Sequence, residues 1–178
     1  MKRRRISVVG NSGSGKSTAA VLIGEALGIE HLELDSVRHQ PNWVELGDGE
    51  FIERVVEFMD THESWVIDGN YSMVRPEIWS RADTVIWLDP PRLETARNVV
   101  FRTLRRLVLR EELWNGNRER LRNALSLNPE KSVIAWSLSR HDTIRQRYSA
   151  AASDPDWQHL EFVRLRKRRE LKDWIERI

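Results

Sequence analysis

The stretch VVGNSGSGKST, Val8 to Thr18, decides how the rest of the chain is read. Gly10 to Ser17 fit the pattern GxxxxGK[ST]. An apolar run, Ile6 to Val9, precedes it, and Ser17 to Leu27 follows with Ala20, Ile23 and Leu27 on one helical face. That strand, loop and helix setting is what the pattern requires. Gly13 and Gly15 let successive N–H groups of Gly10, Asn11, Ser12, Gly13, Ser14, Gly15 and the following Lys16, Ser17 and Thr18 turn toward phosphate oxygens. The helix adds its positive N-terminus. Lys16 reaches the β- and γ-phosphates of a nucleoside triphosphate, and the Ser17 hydroxyl takes one position around Mg²⁺. The plainer reading is a Gly/Ser-rich turn before a helix, which the full match and its flanks disfavour.

Further apolar runs recur at His31 to Leu34, Trp65 to Ile67, Thr84 to Leu88 and Leu160 to Leu165, each of strand length. Helical patterns lie between them: Gly49 to His62, Pro91 to Arg110 with Val100, Leu104, Leu107 and Val108, Glu130 to about Ala152, and Arg168 to Ile178. Strands alternating with helices predict an α/β fold, a parallel sheet with helices on both faces. Residues 1–178 read as one domain, with a lid over about 111–129.

Composition narrows the classes. There is no Cys, so disulfides and thiolate metal sites are excluded, and the five His show no ligand spacing. No stretch approaches the roughly 18 apolar residues of a membrane span, and the basic start MKRRR leads into too short an apolar run for a signal peptide. The expected location is the cytoplasm. Charge is uneven: residues 1–70 hold seven Lys/Arg against twelve Asp/Glu, residues 92–122 nine Arg against four Glu, and residues 164–178 seven Lys/Arg against three acids.

Ligands of open parallel sheets bind at the carboxyl ends of the strands, where three Asp stand. Asp68 is the candidate to hold Mg²⁺ with Ser17, capping being its alternative. Asp35 orients or deprotonates an acceptor, or caps a turn, and Arg38 offers a grip for an acceptor phosphate. Asp89 before Pro90 reads as a turn and helix-cap residue. Trp43, after Pro41 and Asn42, is a candidate wall of an acceptor site.

GNSGSGKST, the HLELD strand with Trp43 after it, WVIDGNY (Trp65 to Tyr71), ADTVIWLDPPR (Ala82 to Arg92) and the arginine-rich helix beyond span most of the chain. Through them the sequence resembles nucleoside-monophosphate-kinase-like P-loop proteins, and most closely the DNA topology modulation proteins related to adenylate kinases. The resemblance implies a three-layer α/β/α P-loop NTPase fold with strand order 2-3-1-4-5, ATP with Mg²⁺ as donor, and a helical lid. It places Asp35 and Arg38 in an Asp-x-x-Arg acceptor motif. Asp68-Gly69 resembles the start of an Asp-Gly-Phe-Pro-Arg motif, continued here by Asn70 and Tyr71, with Arg75 the next arginine. It also implies an ATP-facing Arg102, Arg140, Arg145 and Arg147 on the helix returning from the lid, Arg118 in the lid, and Arg166 in the loop against adenine.

The leading expectation is an ATP-dependent kinase with a nucleotide or related small-molecule acceptor. The alternative is a regulatory ATPase or nucleic-acid-associated protein using the basic segments, although no base-reading motif accompanies them. Nothing in the sequence signals an oligomeric state.

Overall fold

The computed structural model describes residues 4–118 and 132–178. Its main sheet has five parallel strands: β1 (Arg5–Gly10), β2 (Glu30–Glu33), β5 (Trp65–Asp68), β6 (Thr84–Leu88) and β7 (Glu161–Leu165), in the order β2-β5-β1-β6-β7. A two-stranded antiparallel hairpin, β3 (His39–Gln40) with β4 (Val44–Glu45), stands apart. Helices are α1 (Lys16–Leu27), α2 (Leu34–Arg38), α3 (Asp48–Thr61), α4 (Arg75–Arg81), α5 (Arg92–Leu109), α6 (Val133–Ala151) and α7 (Arg168–Ile175).

The expected α/β architecture holds, with a difference in detail: the hairpin falls between the second and third strands of the main sheet. Counting main-sheet strands alone, the neighbours are those of the order 2-3-1-4-5. Two-residue strands leave no periodicity to read. The second strand stops at Glu33, and Leu34 already belongs to α2. Residues 119–129 of the expected lid, and Glu130 and Lys131 of the expected helix, lie outside the described residues.

Alternation along the central strands builds two cores. Val8, Val66 and Ile86 face Ala19, Ala20 and Ile23 of α1 and Leu171 and Trp174 of α7. Their neighbours Val9, Trp65, Ile67, Val85 and Trp87 face Phe51, Val55 and Met59 of α3, Trp79 of α4 and Tyr148 of α6. Burial on both faces explains why these strands are nearly continuous apolar runs.

Helix α5 departs from its expected phase. Val100, Leu104 and Val108 are exposed, whereas Thr95, Val99 and Thr103, spaced four apart, are buried. Its inner face meets the Gly-rich loop at close range. A Cβ built on Gly13 would lie 2.4 Å from Val99 Cγ2 and 2.6 Å from the Thr95 carbonyl oxygen. Compact β-branched residues fit there, where longer Leu side chains would push the loop away.

Candidate phosphate and acceptor site

The loop between β1 and α1 is held from three sides. Gly10, Gly13 and Gly15 have φ of +148°, +81° and +93°, conformations costly for residues with a Cβ. Asn98 and Arg102 of α5 donate to the Gly13 carbonyl (3.1 Å) and the Ser12 hydroxyl (3.0 Å). From α6, the Ser137 hydroxyl donates to the Ser12 carbonyl (2.9 Å), and Asn11 donates to the Ser137 carbonyl (2.8 Å). Beneath, Asn70 accepts from the Gly10 N–H (3.3 Å) and donates to the Gly10 carbonyl (2.6 Å), while the Tyr148 hydroxyl donates to Asn70 (2.8 Å). Burial pushes that Tyr148 hydroxyl up to about 12, keeping it a neutral donor.

Lys16 opens α1 and donates to the Asn11 carbonyl at 3.3 Å. Burial holds its ammonium below the ordinary lysine value, against the pull of Asp68, Asp35 and Glu33, and Arg102 pushes the same way as burial. A desolvated ammonium of this kind is stabilised by a phosphate placed beside it. Thr18, two residues on, is exposed.

Parallel pairing of β2 with β5 sets Glu33 beside Asp68, both ending their strands. The Ser17 hydroxyl lies between them, 2.8 Å from Glu33 Oε1 and 2.9 Å from Asp68 Oδ2, and its one proton serves one at a time. His31 Nε2 is 2.7 Å from the other oxygen of buried Asp68. Two carboxylates and a hydroxyl form a hard-oxygen set that fits Mg²⁺, an ion that takes its remaining positions from phosphate and water. Among the described residues no cluster of three His, Cys, Asp or Glu side chains has metal-holding geometry. Sequence reasoning missed Glu33, although His31, Glu33 and Asp35 alternating with Leu32 and Leu34 carried the signal of a polar strand face.

Asp35, in the first turn of α2, accepts from the Tyr71 hydroxyl at 2.6 Å. Burial and then the Asp35 charge push that phenol well above its ordinary range, so the Tyr71 hydroxyl keeps its proton and donates it to Asp35. His39 Nε2 is 3.4 Å from the same hydroxyl. Arg38 is buried, and its partners are protein groups: Nη1 donates to the Leu46 carbonyl (2.6 Å) and Asp48 (2.7 Å), Nη2 to Glu45 (2.8 Å). Burial lowers its pKa, but the bonds to Asp48 and Glu45 outweigh this and leave it raised. Gly69 turns the chain against Leu34, and Arg75 lies over the Trp79 ring (5.4 Å), facing a small cavity lined also by Asn70, Tyr71 and Tyr148.

The start of the expected lid folds onto this side. Trp114 donates to Glu33 Oε2 (2.7 Å) and stacks on His39, with centroids 5.6 Å apart. Asn115 donates to the His39 carbonyl (2.6 Å) and Asn117 to the Gln40 carbonyl (2.9 Å). Trp43 donates its indole N–H to the Arg118 carbonyl (3.1 Å) and its backbone N–H to Asn117 (2.8 Å).

Asp89 is not a helix cap. The side chain is buried, and the N-cap position of α5 is Pro91, with no side-chain cap. Arg145 Nε donates to Asp89 (2.9 Å), Arg164 donates through Nε (3.0 Å) and more closely through Nη2, and Arg166 Nε is 3.9 Å away. A buried carboxylate needs cations, and these arrive from distant α6 and β7. The structure thus brings Lys16, Ser17, Asp35, Asp68 and Arg102 together around the loop. Arg145 and Arg166 gather at Asp89, while Arg140 and Arg147 are exposed on α6.

No family profile matches the chain, and no curated protein does. Solved structures do. A gluconokinase from Sinorhizobium meliloti 1021 aligns at TM-score 0.54 and 19% identity, covering 98% of this chain and 93% of its own. A sugar kinase from Janibacter sp. HTCC2649 aligns at 0.52 and 20%, covering 98% and 91%. Shikimate kinase from Acinetobacter baumannii, in complex with shikimate, aligns at 0.59 and 16%, covering 99% and 90%. The chain therefore has the α/β fold of these kinases along nearly its whole length.

Proposed function

We propose that the chain is a single-domain phosphotransferase that moves the γ-phosphoryl group of ATP to a hydroxyl of a small molecule. The observation that carries this reading is the placement of the Ser17 hydroxyl between Glu33 and Asp68, next to Lys16 and with Asp35 at the adjoining helix start. In this reading the backbone N–H groups from Asn11 to Thr18 cradle the phosphates, and Lys16 and Arg102 neutralise charge on the transferring group. Ser17, Asp68 and Glu33 hold Mg²⁺, which when bound screens the phosphate oxygens. Asp35, held by Tyr71, accepts the acceptor's proton, and Trp43 and Trp114 wall that side. Arg145 and Arg166, around Asp89, border the nucleotide base.

The adenylate-kinase relationship remains part of this proposal through the Asp35 and Asp68 motifs, as does the single acceptor site. Two arginines that suggested a polyanion surface are paired, Arg105 with Glu111 and Arg118 with Glu112, which supports a small-molecule partner over nucleic acid. Among the described residues no helix is long and apolar enough to cross a membrane. The test is acceptor-dependent formation of ADP by the purified chain with Mg·ATP. Asp35→Asn is expected to lower kcat by about 10²-fold or more while ATP binding stays intact. Hydrolysis at one rate with and without every acceptor would contradict the proposal.

A further inference from the structure

Resting on the phosphotransfer reading, we propose that Asn70 is a positioning residue of the phosphate loop rather than a ligand of the acceptor, and that Tyr148 holds it in that role. Strand β1 pairs with β5 as far as Val8 opposite Asp68, and the Gly69 N–H still donates to the Val8 carbonyl (3.2 Å). Two residues on, the period of a strand turns the N–H and carbonyl of buried Gly10 to the same side as those of Val8. By then β5 has ended, because Gly69, at φ +149°, takes the chain out of the strand. The Asn70 carboxamide meets Gly10 instead: Oδ1 accepts from its N–H (3.3 Å), and Nδ2 donates to its carbonyl (2.6 Å). A carboxamide carries the same donor and acceptor as a peptide group, so this side chain stands in for the next residue of β5. An apolar residue here would leave both Gly10 groups unpaired, and Asp would set an oxygen against the Gly10 carbonyl.

Tyr148 decides which way the carboxamide faces. Its side chain is 1% exposed and its hydroxyl donates to Oδ1 (2.8 Å), so Oδ1 takes two donors and Nδ2 is left for the carbonyl. Asn70 also borders the cavity of Tyr71 and Arg75, but both of its polar atoms are engaged on the loop side. Tyr148 shares a buried face of α6 with Ser137, His141 and Ile144, at intervals of four, three and four residues. At the far end of that face Ser137 donates to the Ser12 carbonyl and accepts from Asn11. Helix α6 therefore grips the loop at its base through Tyr148 and Asn70, and farther along through Ser137, at points about 16 Å apart on the helix. Gly10, at φ +148°, is where the strand becomes the loop. Holding the peptide groups on both of its sides fixes the direction in which the loop leaves the sheet, which preorganises the N–H groups that follow.

Binding of the Mg²⁺ complex of a non-hydrolysable ATP analogue is measured by calorimetry for the unaltered chain, Tyr148→Phe, Asn70→Ala and the double variant, each shown folded by circular dichroism. Each single change is expected to weaken binding about tenfold, and the double variant to bind no worse than Asn70→Ala, because Tyr148 acts through Asn70. An acceptor panel of nucleoside monophosphates, hexoses, gluconate and shikimate is offered with Mg·ATP. For any member that yields an ester, KM in Asn70→Ala is expected to stay within about twofold of the unaltered chain. A larger rise in that KM, additive losses in the double variant, or unaltered analogue affinity in Asn70→Ala overturns the inference and leaves the kinase reading standing. An unaltered chain that binds no analogue overturns both. The Gly10 amide resonance, read by ¹H–¹⁵N NMR without ligand, is expected to move in Tyr148→Phe, a change that does not touch Gly10 itself. An unmoved Gly10 signal overturns the inference.

Discussion

Glu33 joins two parts of the site through one carboxylate: Oε1 meets the Ser17 hydroxyl at 2.8 Å and Oε2 accepts the Trp114 indole N–H at 2.7 Å. The phosphate loop and the segment from Trp114 to Arg118 are thereby coupled. Glu33→Gln keeps the shape and removes the charge. We expect the Mg²⁺ concentration for half-maximal activity to rise about tenfold, with weaker Mn²⁺ binding in the presence of ATP by electron paramagnetic resonance. Unchanged metal dependence would remove Glu33 from the metal site.

Trp114→Phe deletes the indole donor and retains a ring against His39. A hydrogen bond to a charged acceptor lost this way is expected to cost about 1–2 kcal/mol in urea unfolding. Trp114→Leu also removes the stacking and should cost more. Equal losses for the two variants would show that the ring stacking contributes nothing.

Lys16 is the titrating group of the phosphate loop. Its folded pKa lies below 10.5, so in the interval between the two values the unfolded chain binds more protons, and this group's contribution makes stability rise with pH there. A triphosphate supplies the missing negative charge and should move the titration of the Lys16 side chain upward, read by ¹³C NMR at Cε. A downward or absent movement on adding ATP analogue would take Lys16 away from the phosphates.

Gly13→Ala forces a Cβ into Val99 and the Thr95 carbonyl at a φ of +81°. Left-handed strain and overpacking together predict a loss of about 2–4 kcal/mol, with ATP binding reduced because the loop is displaced. Gly15→Ala meets no neighbouring atom and should cost only the backbone term, about 1–2 kcal/mol. Similar losses at the two glycines would contradict the close contact with α5.

The loop and the five sheet strands were legible in the sequence because their signals are local: fixed glycine spacing, and short apolar runs, which in central β1, β5 and β6 are buried on both faces. What escaped was non-local or too short. The β3–β4 hairpin has two residues per strand. The fate of Asp89 depends on Arg145 and Arg164, more than fifty residues away in the chain. The inner face of α5 carries Thr95, Val99 and Thr103 against the Gly13 loop, while the apolar Val100, Leu104 and Val108 that marked the helix in the sequence are exposed. Arg38 kept its motif position while Glu45 and Asp48, seven and ten residues on, took up its charge.

The most direct measurement of the central claim is the stoichiometry of ADP, inorganic phosphate and phosphorylated product, followed together by ³¹P NMR with Mg·ATP and the acceptor panel. Phosphotransfer predicts one ester per ADP with little free phosphate, and loss of both products in the Lys16→Ala chain. Free phosphate matching ADP mole for mole, with no ester from any acceptor, would contradict it.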